Sequence, residues 1–213
     1  KVEASGVARA LGSITATGTR DVKTTADEIT QLGRTDITAT GLTTVDVGAG
    51  GANILLGVTT NDFSSVTVVN AGANDVDVYD VNAITFSGDA NTLDVRGTDI
   101  TLGGGSYNQL DADPSSSVNQ TRPLPPTGGV TRIFATAADV DTDLSLAGNN
   151  FVSVQLNETG VGSTHRNVSI DDDAGDLVAG GVTGAASLTI NTVGGLALSG
   201  GTYNTLIATA GGN

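Results

Sequence analysis

The chain has no cysteine, methionine or tryptophan, and aromatics make up only 3% of its 213 residues. Without cysteine there is no disulfide framework, and the redox compartment cannot be read from thiol usage. A single histidine, His165, removes Cys/His zinc sites and any ordinary Ser-His-Asp triad. Lysine and arginine number nine against 23 acidic residues, a formal net charge of -14. That balance argues against nucleic acid or an anionic membrane as partner, since both need clustered cations. No apolar run is long enough to insert in a membrane, and no basic, then apolar, signal-peptide pattern occurs. A start at Lys1 and a close on "ATAGGN" in mid-pattern read as a mature product or an excised segment.

What is present is Gly, 30 residues of it, with abundant Thr, Val, Ala, Asn and Asp. These are poor in helices and good in short strands joined by tight turns. Two of the three tyrosines sit in nearly the same octapeptide, "GGGSYNQL" at 103–110 and "SGGTYNTL" at 199–206. Working back from them, "LGVTTNDFSSVTV" at 56–68 matches "LSLAGNNFVSVQL" at 144–156, and "DVDVYD" at 75–80 matches "NVSIDD" at 167–172. "ANTLDV" at 90–95 likewise matches "AASLTI" at 185–190, while the offset grows from 88 to 96, so insertions fall between matched strands. A partial copy at about 27–55 contains "DITATGLTTVDV", which resembles "AITFSGDANTLDV". Fixed apolar registers with variable loops are the mark of stacked repeats.

Within each copy apolar residues alternate with polar ones, as at Val66 and Val68, Val76 and Val78, or Leu93 and Val95. Period two with Gly, Asn or Asp at the breaks predicts short half-buried strands. A sandwich of hairpins would call for Asn-Gly or Asp-Gly turns and more aromatics. A parallel β-helix stacks small aliphatic residues inside a narrow coil and places Gly, Asn, Ser and Thr at the corners. The expectation is therefore an all-β, right-handed parallel β-helix (β-solenoid) of about ten coils over 1–213, with copies at 56–110 and 139–206. All four prolines fall in 111–129, which reads as one long Pro-rich protruding loop.

The stretches "TNDFSSVTVVNAGANDVDVYDVNAITFSG", "GNNFVSVQLNETG" and "NVSIDDDAGDLVAGGVTGAASLTINTVGGLALSGGTYNTLIATAGGN" resemble the repeat regions of large filamentous-haemagglutinin-type exoproteins. The shared features are an N-[DN]-F-x-x-V-x-[VL] stretch, a V-x-I-x-D strand, then G-x-L-x-[VI] and a closing AGGN, over about 27–110 and 139–213. The resemblance implies a right-handed β-helical fibre on a bacterial surface, exported by two-partner secretion and serving adhesion, biofilm formation or toxin presentation. Neither the family's amino-terminal secretion domain nor a toxin domain is seen, so what carries over is the stalk.

Candidate sites are few. Loops on solenoids commonly carry binding, which puts Asn119, Arg122, Leu124 and Thr127 forward as a binding loop. "LPPTG" at 124–128 fits a sortase pattern by chance, since a long β pattern follows it. Asp171, Asp172, Asp173 and Asp176 in "IDDDAGD" offer oxygens to Ca²⁺, although no EF-hand or nonapeptide spacing is present, and no other cofactor is expected. His165 reads as an exposed loop residue, and the sequons at Asn119, Asn157 and Asn167 mean surface loops if the host glycosylates and nothing otherwise. The Thr-x-Thr pairs at 15–17 and 38–40 do not repeat in every coil, as an ice-binding face would require. The functional expectation is a non-catalytic extracellular fibre segment that partners further β-helical segments, copies of itself, or a host-surface or matrix glycan or protein. The alternatives are a self-assembling filament subunit and a carbohydrate-active β-helix that uses two carboxylates.

Overall fold

The computed structural model describes residues 2–3, 9–25, 27–69, 71–125, 127–181 and 185–212. Every strand pairing among them is parallel and none of them is helical, which bears out the solenoid and removes the hairpin sandwich. The chain winds through about ten turns, and each turn contributes to two stacks of strands. One stack runs from Arg9–Leu11 through Ile29–Gln31, Ile54–Leu56 and Val76–Tyr79 to Leu196–Ser199. The other runs from Val2–Glu3 through Ile37–Asp46, Asp62–Val69 and Ile84–Ser87 to Tyr203–Ala210. Ala90–Leu102 and Tyr107–Gln120 are long enough to bend and serve both stacks.

The period-two pattern becomes columns of side chains. Ile29, Ile54, Val76, Leu93, Leu110, Thr131, Val154 and Ala179 stand in consecutive register and are buried. Ile84, Ile100, Val118, Thr142, Val168 and Leu188 form the matching column of the second stack. Burying each such aliphatic side chain stabilises the coil by roughly 1.5–3 kcal/mol. Turn length is free to vary because only the columns must align: Ile100 follows its partner Ile84 by 16 residues, and Val168 follows Thr142 by 26.

The twin tyrosines open equivalent strands, where Ala90 faces Tyr107 and Ala185 faces Tyr203. Gly104 and Gly105, like Gly200 and Gly201, turn the chain into them with positive φ that only glycine adopts freely. A side chain at Gly105 would also stand 2.0 Å from the Gly88 carbonyl of the preceding turn. Yet Tyr107 lies on the first stack and Tyr203 on the second. The same exchange holds for Phe63 and Phe151 and for Val78 and Ile170, so the repeat is a half-turn operation that carries one stack onto the other. The partial copy follows this rule less well: Ile37 and Ile84 share a stack, whereas Val45 and Leu93 do not.

The protruding loop 111–129 is corrected. Asp111–Gln120 belongs to a continuous strand, with Pro114 opposite Gly97 beside a bulge, and Thr127–Ala135 is again strand. Among the described residues of this stretch, only 121–125 lie outside strands. Its counterpart is the turn 32–36, because Leu124 N–H donates to Asn149 Oδ1 at 2.9 Å as Ile37 N–H donates to Asn61 Oδ1 at 2.9 Å. The proline-rich stretch is thus a regular corner of the repeat.

Candidate functional site

The outer face of the first stack carries a set of closely stacked charges. The triplets Asp94-Val95-Arg96, Asp111-Ala112-Asp113 and Arg132-Ile133-Phe134 lie on three successive turns, with the middle residue buried and its neighbours facing outward. Parallel register stacks Asp77, Asp94, Asp111 and Arg132 in one outer column and Tyr79, Arg96 and Asp113 in the next. Backbones about 4.8 Å apart hold these groups in contact. The Arg96 guanidinium lies 4.2 Å from the centre of the Tyr79 ring, donates through Nε to Asp113 at 2.9 Å, and reaches Asp94 at 3.4 Å. Tyr79 Oη–H donates to Asp94 at 2.8 Å, and Arg132 pairs with Asp111 at 3.2 Å.

Four carboxylates share two guanidiniums in a partly dry pleat, and the acids respond. Burial, reinforced by Asp94 and Asp111 and opposed by Arg96, pushes the Asp113 carboxyl up to about 6. Asp77 is raised for the same reason, burial first and then repulsion from Asp94 and Asp75. Asp94, Arg96, Asp111, Asp113, Phe134 and Thr159 line an open recess of about 280 Å³ there. Phe134 is half-buried on its wall, whereas Phe63, Phe86 and Phe151 are all in the core. Sequence reasoning passed over this group; its signal was the recurrence of charged-apolar-charged or charged-apolar-aromatic triplets at turn spacing.

The expected binding loop separates into different roles. Leu124 is fully buried and belongs to the core. Asn119 sits within a strand opposite Thr101 and Asp143, and Thr127 opens a strand opposite Phe151. Arg122 is exposed; it borders a cavity of about 590 Å³ with Pro123, Pro125 and the turns at Gly88, Gly104 and Gly148. The formal sortase match is likewise built into the coil, since Leu124 is core and Thr127 is strand.

The four Asp of "IDDDAGD" do not converge. Asp172 points inward, fully buried, and its oxygens accept from Phe151 N–H at 2.8 Å and Thr192 Oγ1–H at 3.3 Å. Asp173 accepts from Gly148 N–H and Asp176 from Gly195 N–H, each at 2.6 Å, on different turns. Asp171 faces outward, its carboxyl raised by burial and by its Asp173 and Asp172 neighbours. Among the described residues no three His, Cys, Asp or Glu gather in a metal-holding group.

Asp172 instead completes a buried polar corner. Asn149 donates through Nδ2 to the carbonyls of Leu144 and Asp171 and exchanges hydrogen bonds with Gln120. Asn61 does the same with Leu56, Tyr79 and Gln31, and Asp80 takes the place of Asp172 by accepting from Phe63 N–H. Burial pushes Asp80 up to about 6 against those hydrogen bonds. His165 is corrected from loop to core: it opens a strand, is buried, and meets the Asn157 carbonyl at 3.1 Å while Nδ1 has no partner. Burial lowers its pKa. The sequon residues Asn119, Asn157 and Asn167 also lie on strands, not loops.

No curated protein and no solved structure matches the chain. Residues 1–70 match a family described as repeats of unknown function (DUF5649), in keeping with the repeat architecture of the fold.

Proposed function

We propose that the chain is a non-catalytic rod segment of an extracellular bacterial surface fibre, with an adhesive role. The observation that carries this reading is the unbroken parallel ladder of about ten turns, in which apolar columns fill the interior and nearly all charge lies outside. Such a rod resists bending along its axis because every turn is hydrogen-bonded to the next. An acidic exterior keeps rods apart in solution. The sequence features shared with filamentous-haemagglutinin-type repeats point the same way.

A second reading, a self-assembling filament subunit, draws on the character of the last turns. Residues 177–212 contain no charged side chain, and Leu198, Leu206 and Ile207 are exposed where the interior columns run out. Edges are ordinarily blunted by charge or proline, so this one favours pairing with another coil. Negative-stain electron microscopy across a concentration series, with and without Ca²⁺, separates the readings. Rods roughly 45–50 Å long at every concentration, from a rise of about 4.8 Å per turn, support the rod segment. Filaments of constant width that lengthen with concentration support the subunit, and round particles sink both.

A further inference from the structure

We propose that the recess formed by Asp94, Arg96, Asp111, Asp113, Phe134 and Thr159 binds one neutral sugar ring. This deepens the adhesive part of the reading above, and rests on it only for its biological role, because binding itself requires nothing but the recess. Phe134 stands apart from the other phenylalanines. The other three phenylalanines fill the interior, with at most 2% exposure, whereas this ring faces outward beside charged groups. An aromatic face carries partial negative charge and attracts the weakly positive C–H face of a sugar.

The polar groups around it have the matching geometry. Carboxylates and guanidiniums are planar forks that take two adjacent hydroxyls at once, the carboxylate accepting and the guanidinium donating. Here both kinds line one wall, held by fixed pairs: Arg96 on Asp113 and Asp94, Arg132 on Asp111. Each carboxylate keeps lone pairs beyond those contacts, and the hydroxyl of Thr159, a lining residue, donates to the Ala135 carbonyl at 3.3 Å and keeps its acceptor lone pairs. Groups already fixed by neighbours lose little freedom when a ligand arrives. A volume of about 280 Å³ suits a single ring, not a long chain segment.

Charge sets the class of sugar. The pleat has more carboxylates than guanidiniums within a chain of net charge -14, so uronic acids and sulfated glycans are repelled. The separated carboxylates form no metal-holding group among the described residues, which disfavours a compact cation at the same place. A neutral ring with hydroxyls on one edge and C–H on its face satisfies both walls.

The test is an NMR titration of backbone amides in the intact 213-residue chain. The probes are methyl α-D-mannopyranoside, methyl β-D-galactopyranoside, N-acetyl-D-glucosamine, glucuronate and pentylamine. The expected result is saturable movement of amides in 111–113 and 132–134 by at least one neutral sugar, with little response to glucuronate. Phe134→Ser and Thr159→Val weaken that sugar about tenfold and a few-fold respectively while the melting curve is kept, and Arg122→Ala leaves it unchanged. The proposal is overturned if no neutral sugar moves these amides, if both recess variants bind as the parent does, or if glucuronate or pentylamine binds more tightly. Because these outcomes leave rod length untouched, a failed sugar site and a failed fibre reading are told apart.

Discussion

The corner of Gln31, Asn61 and Asp80 and the corner of Gln120, Asn149 and Asp172 make the same hydrogen bonds, yet they belong to half-turns that occupy opposite stacks. The two copies therefore share an interior and differ outside. The charged recess runs from the last turns of the first copy, at Asp94 and Arg96, to Thr159 in the second, while the second ends in turns without a charged residue. The lesson is that each copy reproduces the buried amide corner although the two occupy opposite stacks, while the outer residues differ. A buried amide suits this task, because one side chain satisfies both the donors and the carbonyls that the corner strips from the ladder.

If the corners are equivalent, breaking either has the same large cost. Asn61→Leu and Asn149→Leu each leave a buried backbone N–H and two carbonyls without partners, an expected loss of about 4 kcal/mol. Urea unfolding followed by circular dichroism measures both, and a difference greater than about 2 kcal/mol between them would break the comparison. The tyrosines sharpen it from the other side, since equivalent sequence meets unequal burial. Tyr107 is 1% exposed, and Tyr107→Ala is expected to cost about 3 kcal/mol, whereas half-buried Tyr203 in the last turn loses about 1 kcal/mol or less on the same change.

The smallest effect is on acid response, where two buried groups act in opposite senses. Asp80 titrates near 6 in the folded chain and near 3.9 when unfolded, so its folded form takes up a proton first. Its contribution to stability accordingly rises as pH falls through about 6. His165 is held neutral by burial while the unfolded side chain protonates near 6.5, so its contribution falls as pH drops below that value. Thermal melts between pH 4 and 8 should show Asp80→Asn losing the rise and His165→Gln losing the fall, each by about 2–4 °C. Identical profiles for both variants would mean that neither group differs between folded and unfolded chains.

Much of the fold was legible because its signals are local. Alternation at Val76 and Val78 or Leu93 and Val95 marks inward and outward positions whatever the partner strand, and Gly104-Gly105 before Tyr107 marks a turn into a strand. The site was far less legible. Prolines at 123 and 125 concealed a regular corner, since a proline count does not reveal that Gln120 and Asn149 bond across 29 residues. The acidic run 171–176 read as one cluster, although alternation sends Asp172 inward and Asp171 outward.

By itself the sequence determined the class of strand, the inward columns and the repeat, because side-chain alternation and glycine turns depend on neighbours in the chain. Only the tertiary structure decided which turns stack on which, that the copies exchange stacks, and that Asp94, Arg96, Asp113 and Phe134 meet on one face. The reason is physical: register between parallel turns is set by columns that close over turns of 16 to 26 residues, and a contact made across such turns leaves no mark at any single position.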